Sequence, residues 1–274
     1  MSATAESRSI PPAPANAWAG ALRLLDYNVM VYKRTWKGSV ITSFVTPFLY
    51  IVAMGVLLGG FVTQDPAKLD GATSYLAYVA PGMVASQAMT TVFGEVTYPV
   101  MGMVKWQKIY FSMTATPLGV KDVILAHMGF VLFRVFTVCA VFAAVLAPFG
   151  VFASVWGTVV AVLVQLLLGL AFAMPIYAFS CGLEDESAFS LIFRLGMIPL
   201  TLFSGTFFPI GNLGPVMETI ARVTPLWQGV DLTRMLVLGD LDWGWATIHV
   251  VYLVLLSAIG WHWAVRRLHR RLVQ

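Results

Sequence analysis

Charge is what this chain most lacks. Only 11% of its 274 residues are Asp, Glu, Lys or Arg, where a soluble domain carries about 25% and uses it to cover its surface. Catalytic signatures are missing as well. There is no Gly-Lys pair, hence no GxxxxGK[ST] phosphate loop, and no HExxH, CxxC or GxSxG. His127, His249, His262 and His269 are scattered and make no metal-ligand cluster. The chain is therefore not expected to hydrolyse a nucleotide or to hold a metal or cofactor of its own, and active transport would draw its energy from another subunit or an ion gradient. Cysteine is reduced to Cys139 and Cys181, both in apolar runs, so no disulfide is expected. The net charge of +4 has no soluble surface on which to make a nucleic-acid face, and the basic run from Arg266 to Arg271 is only a short flank. Residues 1–16, rich in Ser, Pro and Ala, hold no apolar core of signal-peptide length; they read as a disordered head, with the first span directing insertion.

Hydrophobic residues make up 59% of the chain, and the mean hydropathy is +0.81. A hydrocarbon core about 30 Å thick needs roughly 20 apolar residues of helix. Runs of that length lie at 40–62, 76–101, 123–147, 151–179, 189–208 and 243–263. Only Pro148, Phe149 and Gly150 part the third from the fourth, which predicts a tight helical hairpin. The runs are apolar on every face and too long for barrel strands. The expected fold is an all-α integral membrane protein with six transmembrane helices in one domain, 39–274.

Orientation follows from the Lys and Arg bias. With both termini in the cytoplasm of a bacterial cell, thirteen of the 17 basic residues lie inside the inner membrane, against Lys68, Arg222 and Arg234 outside and Arg134 within a span. The nine tryptophans sit near span ends or on flanking amphipathic segments, as headgroup-level anchors among the membrane lipids.

Three segments outside the spans carry information. Over 17–38, Trp18, Ala21, Leu22, Leu25, Val29, Tyr32 and Trp36 fall in an arc of roughly 100° on a helical wheel, opposite Arg23, Asp26, Lys33, Arg34 and Lys37. This predicts an interfacial amphipathic helix. In the inner loop 102–122, Trp106, Ile109, Tyr110 and Met113 share one helical face, and Thr116-Pro117-Leu118-Gly119 ends the short helix. Such a helix is either a seat for a soluble partner, with Tyr110 as anchor, or a passive connector. The outer segment 204–242 is too polar to span; 215–223 and 226–238 read as short amphipathic helices that dip back over the mouth of a pathway or form a plain cap.

Within the spans the ionisable residues are Glu95, His127 and Arg134, and an unpaired charge at the bilayer centre costs roughly 3 kcal/mol or more. Antiparallel neighbours bring Glu95 and Arg134 to similar depth. They read as a pair that fixes helix register, or as part of a proton relay.

The run Phe203-Ser204-Gly205-Thr206-Phe207-Phe208-Pro209, then Thr224-Pro225-Leu226 and Asp231 to Arg234, resembles the C-terminal signature of type-2 ABC export permeases. Thr116-Pro117-Leu118 and Glu184-Asp185-Glu186-Ser187-Ala188 are similar to that family's inner loops. The likeness runs from Ala17 onward and is greatest to the NodJ branch, associated with lipo-oligosaccharide export, whose relatives include drug-resistance and glycan permeases. It implies a homo- or heterodimer of six-helix subunits, each paired with a separate ABC ATPase that holds the ATP and magnesium. It makes 17–38 the connecting helix, 106–115 a coupling helix aided by the Glu184, Asp185 and Glu186 loop, and 205–242, with Phe207, Phe208, Pro209 and Pro225, the outer cap. The competing readings are an ion-coupled transporter, which the single intramembrane carboxylate and the absence of inverted halves disfavour, and a membrane-embedded lipid-modifying enzyme, for which the 184–186 acids are the only cluster.

Overall fold

The computed structural model describes residues 71–272 without a break and, before them, Leu22, Leu24, Leu25, Val29, Met30, Tyr32, Lys33, Phe44, Val45, residues 48–53 and Leu69. The head over 1–16 lies outside the described residues, as do most of the amphipathic segment 17–38 and of the first span 40–62.

The described residues fold into helices, with no strand among them. Helix α1, Tyr75–Val96, opens on Ser74, whose side chain accepts from Ala77 N at 3.1 Å. Pro99 has no amide to donate, and the ladder breaks at Thr97 before resuming as Tyr98–Met101 and a widened turn, Gly102–Trp106. The run predicted to stop at 101 thus continues to Trp106. Lys108 then takes a left-handed conformation, φ 54°, which separates this helix from the six-residue α2, Ile109–Thr114. The coupling segment expected as one helix over 106–115 is therefore two pieces.

Helix α3, Val120–Leu146, starts where Asp122 Oδ2 accepts from Gly119 N at 2.9 Å. It ends in the turn Ala147–Phe149, followed by Gly150 at φ 66°. Helix α4, Val155–Gly182, begins four residues later than expected, because Ala153 N bonds to Val237 O at 3.0 Å and Ser154 caps Gly157 N at 3.2 Å. Helix α5, Ser187–Phe203, is 17 residues long, with a widened run at Ile192–Met197. At 1.5 Å per residue it spans about 25 Å, short of a hydrocarbon core. It falls short of the expected 208 because Gly205, at φ 76°, turns the chain back into the protein. Helices α6, Pro215–Val223, and α7, Pro225–Leu238, precede the 30-residue α8, Trp243–Leu272.

By length and composition, three helical stretches among the described residues can cross a membrane: Val120–Phe149, Val155–Gly182 and Trp243–Leu272. They support an all-α membrane protein. Helix α4 is the axis of the bundle, with α1, α3, α7 and α8 packed around it. Gly260 of α8 lies against Met174 and Pro175 of α4, where a Cβ would come within 2.7 Å of their side chains. The outward surface is apolar: Val155 is 81% exposed, Leu195 69% and Ile259 66%. Water would not tolerate so continuous an apolar jacket.

Candidate functional site

Polar side chains gather at the two ends of the bundle and in one band between them. The first end carries Lys105, Lys108, Lys121 and the arginines of the α8 tail, and is called the basic end. Here α2 hangs between α1 and α3. Only part of its apolar stripe faces outward. Tyr110 is buried, Met113 packs on the core and Ile109 is half-buried, while Trp106 and Phe111 are exposed at 53% and 38%. Tyr110, expected to anchor a partner, is instead covered by this chain's own helices: its hydroxyl lies 3.2 Å from His127 Nδ1 of α3. Burial pushes the phenol pKa above its usual value, so it stays neutral. Helical spacing identified the apolar face, and this chain's own α3 and α8 lie against it. Thr116 is exposed and bonds to Met113 O at 2.6 Å; Pro117 is half-buried.

From Tyr110 a chain of contacts runs into the middle band. His127 Nε2 lies 3.2 Å from Glu95 O, and Arg134 Nε donates to Glu95 Oε1 at 2.9 Å. With the phenol donating to Nδ1, the imidazole donates to the Glu95 carbonyl through Nε2. Tyr32, from the expected interfacial segment, lies under the Arg134 guanidinium at 5.0 Å and meets Phe133 edge-on at 5.5 Å. Both charged side chains are largely covered, 16% exposed for Arg134 and 23% for Glu95. His127, expected as an intramembrane ionisable residue but not as a member of the pair, is the link between Tyr110 and Glu95.

The acidic loop after α4 is tied to the same end. Asp185 accepts from Ser187 Oγ at 2.7 Å and from Ser187 N at 3.2 Å, which lowers its carboxyl pKa. Glu184 lies 3.6 Å from Arg271 Nη1, and its carbonyl accepts from Lys105 Nζ at 2.5 Å. Glu186 is exposed.

The opposite end is built from buried polar groups. The Gly205 carbonyl accepts from Arg234 Nη2 at 2.7 Å and from Tyr78 OH at 3.1 Å, and the guanidinium lies 4.1 Å over the Tyr78 ring. Thr206 Oγ1 lies 3.1 Å from Ser86 Oγ, and Phe207 O accepts from Tyr75 OH at 3.1 Å. Phe207, Phe208 and Pro209 are half-buried over this turn, and Pro225 opens α7 behind Thr224. Above lies a cavity of about 550 Å³, lined by Trp227, Trp245, Glu218, Arg222, Asp231 and Arg234 among others. At its floor His249 is fully buried between Gln228 Oε1 at Nδ1 and Asp231 Oδ2, 3.1 Å from Nε2. The Gln228 amide donates to Arg222 O at 2.6 Å, which orients its oxygen toward the ring. Both ring nitrogens therefore face acceptors. Gln228 and His249 are 21 positions apart on different helices, so no sequence window joins them. Among the described residues no cluster of His, Cys, Asp and Glu is arranged to hold a metal.

The arrangement is that of a membrane bundle with a short helical loop at one end and a capped cavity at the other. The sequence is similar to those of known proteins. The chain is 29% identical over 212 residues to nodulation protein J of Rhizobium leguminosarum bv. trifolii, covering 77% of this chain and 79% of that one. It is 26% identical over 263 residues to nodulation protein J of Sinorhizobium fredii, covering 95% and 96%, and 24% over 266 residues to that of Bradyrhizobium diazoefficiens, covering 97% and 98%. The sequence model described as ABC-2 type transporter matches residues 21–238, most of the chain, and the protein belongs to that family.

Proposed function

We propose that this chain is the permease subunit of an ATP-driven exporter that moves a lipidic, glycolipid or amphipathic drug-like substrate out of the cytoplasm or inner leaflet. The family match over 21–238 carries this reading. The chain lacks a phosphate loop, so a separate ABC ATPase supplies ATP and magnesium, and a second permease subunit completes the pathway. The protein sits in the bacterial inner membrane as a six-span domain over 39–274 that follows the head and the interfacial segment 17–38. Both termini are cytoplasmic and the basic end faces the ATPase. The amphipathic substrate class is what the resemblance of the sequence to the lipo-oligosaccharide export branch suggests.

Coupling runs through the loop between α1 and α3. Trp106 and Phe111, exposed on either side of the Lys108 break, offer aromatic anchors to a groove in the ATPase. Ile109, Thr116, Pro117 and Glu186 flank them. Movement of α2 is transmitted to α1 and α3 directly by the chain and through Tyr110 and His127 to Glu95.

The purified chain alone should show no ATP hydrolysis and should co-purify with a cassette ATPase from its native host. Hydrolysis by the isolated chain would overturn the assignment. Orientation is tested by impermeant thiol labelling from outside intact cells: a cysteine at the exposed Asn212 should react and one at the exposed Gln107 should not. Both native cysteines are buried and give little background.

A further inference from the structure

At the basic end, the last turns of α4 and α8 enclose a cleft of about 260 Å³ lined by Cys181, Gly182, Glu184, Arg267, Arg270 and Arg271. Three guanidinium groups share it with one carboxylate, and that carboxylate lies against Arg271 at 3.6 Å. Lys105 adds a further cation beside it, bonded to the Glu184 carbonyl. Arg267 is seated rather than merely solvated: its guanidinium lies across Gly182, where any Cβ would collide with it. The cleft is thus a formed, positively charged pocket between two helices.

The surface beside the cleft identifies the ligand class. Residues four apart on a helix form one ridge. Leu255, Ile259 and Trp263 lie on the ridge that continues into Arg267 and Arg271, and the three are exposed at 56%, 66% and 43%. The ridge is apolar along its length and ends in paired guanidinium forks with an indole at the junction. A free phosphate would use only the forks; a soluble acidic protein would leave the apolar ridge uncovered. We infer that the cleft binds the phosphate headgroup of an anionic phospholipid whose acyl chains lie along the Leu255, Ile259 and Trp263 ridge. Trp263 then lies at headgroup level. The bound lipid bridges α4 and α8 at the end where Lys105 and Glu184 join α1 to the acidic loop. This inference rests on the membrane placement of α8 proposed above, but not on any transport activity.

The experiment uses the full chain in mild detergent, together with its ATPase where the two co-purify. It is incubated with phosphatidylglycerol, cardiolipin or phosphatidylcholine, and retained lipid is counted by native mass spectrometry. Glycerol phosphate serves as a headgroup without chains. The two anionic lipids should be retained in preference to phosphatidylcholine, and glycerol phosphate should not displace them. Arg267→Gln combined with Arg271→Gln should lower anionic-lipid retention on the order of ten-fold, whereas Arg266→Gln, outside the cleft, should not. If the double variant fails to fold, Arg270→Gln, which leaves the Glu184 contact intact, should still lower retention several-fold. Equal retention of phosphatidylcholine, unchanged retention in the cleft variants, or displacement by glycerol phosphate overturns the inference. So does loss of ATPase binding in these variants with lipid retention unaltered, which would make the cleft a protein contact. Lipid retention is read without turnover, so failure of the export reading leaves the result interpretable.

Discussion

The two ends of the bundle use polar residues in opposite ways. At the cavity end Arg234, His249, Thr206 and Gln228 are buried and bonded to backbone carbonyls or to neighbouring side chains. At the basic end the arginines of α8 are mostly exposed and the loops are tied by long contacts, such as Arg271 to Glu184 at 3.6 Å. Buried donors and acceptors cannot exchange partners with water, so the cavity end is a rigid cap. Exposed charges can exchange them, so the basic end is free to take a partner. The middle band belongs with the cavity end in burial, but it is wired to the basic end through Tyr110 and His127.

The largest expected effect tests the rigid half of that contrast. Replacing Arg234 with Met strips the Gly205 carbonyl of a charged donor and leaves Tyr78 without its overlying cation; it should cost on the order of 3 kcal/mol. The same substitution at Arg270 should fall within about 0.5 kcal/mol. Thermal unfolding in detergent measures both, and similar losses at the two sites would erase the distinction.

The middle band comes next. Glu95→Gln or Arg134→Leu alone should cost about 2 kcal/mol, less than for a fully buried pair because both side chains keep some exposure, and the two together clearly less than the sum. Additive losses in expression and thermal stability would mean that the 2.9 Å contact contributes no coupling.

A smaller and more selective effect separates the faces of α2. Tyr110→Phe removes the bond to His127 and should cost about 1–2 kcal/mol with ATPase association retained. Trp106→Ala with Phe111→Ala should leave stability nearly unchanged while weakening ATPase association or uncoupling hydrolysis from export. Association assays on the folded variants decide between them, and the reverse pattern would return the anchor to Tyr110.

The smallest effect concerns Asp185. Its carboxyl is held below the usual range by the bonds from Ser187, so its contribution is present above the ordinary carboxylate pKa and is lost as pH falls through the lowered value. Asp185→Asn should therefore lower stability slightly and evenly between pH 5 and 8, and the difference from the native chain should shrink to nothing at the acid edge, as thermal scans extended into acid would show.

Much of this molecule was legible in one dimension. Apolar runs of span length located α3, α4 and α8 to within a few residues at most ends, because lipid demands apolar side chains on every face of such a helix. Ends set by tertiary contacts were not legible. Helix α4 starts late because Ala153 bonds to Val237, and α5 stops early because Gly205 turns toward Arg234 and Tyr78. On the face predicted for the coupling segment, Tyr110 meets the chain's own α3 while Trp106 stays exposed. Periodicity shows that Tyr110 and Met113 share a side, but not whether that side meets a partner or the chain's own α3.

The sequence by itself determined that the protein is helical and membrane-embedded and that it carries no nucleotide-binding loop. These properties depend on composition and on local periodicity. Only the tertiary structure decided which polar residues meet: His127 with Tyr110 and Glu95, His249 with Gln228 and Asp231, Arg267 with Gly182. Each pairing joins positions brought together by packing around α4, and no spacing along one helix encodes it.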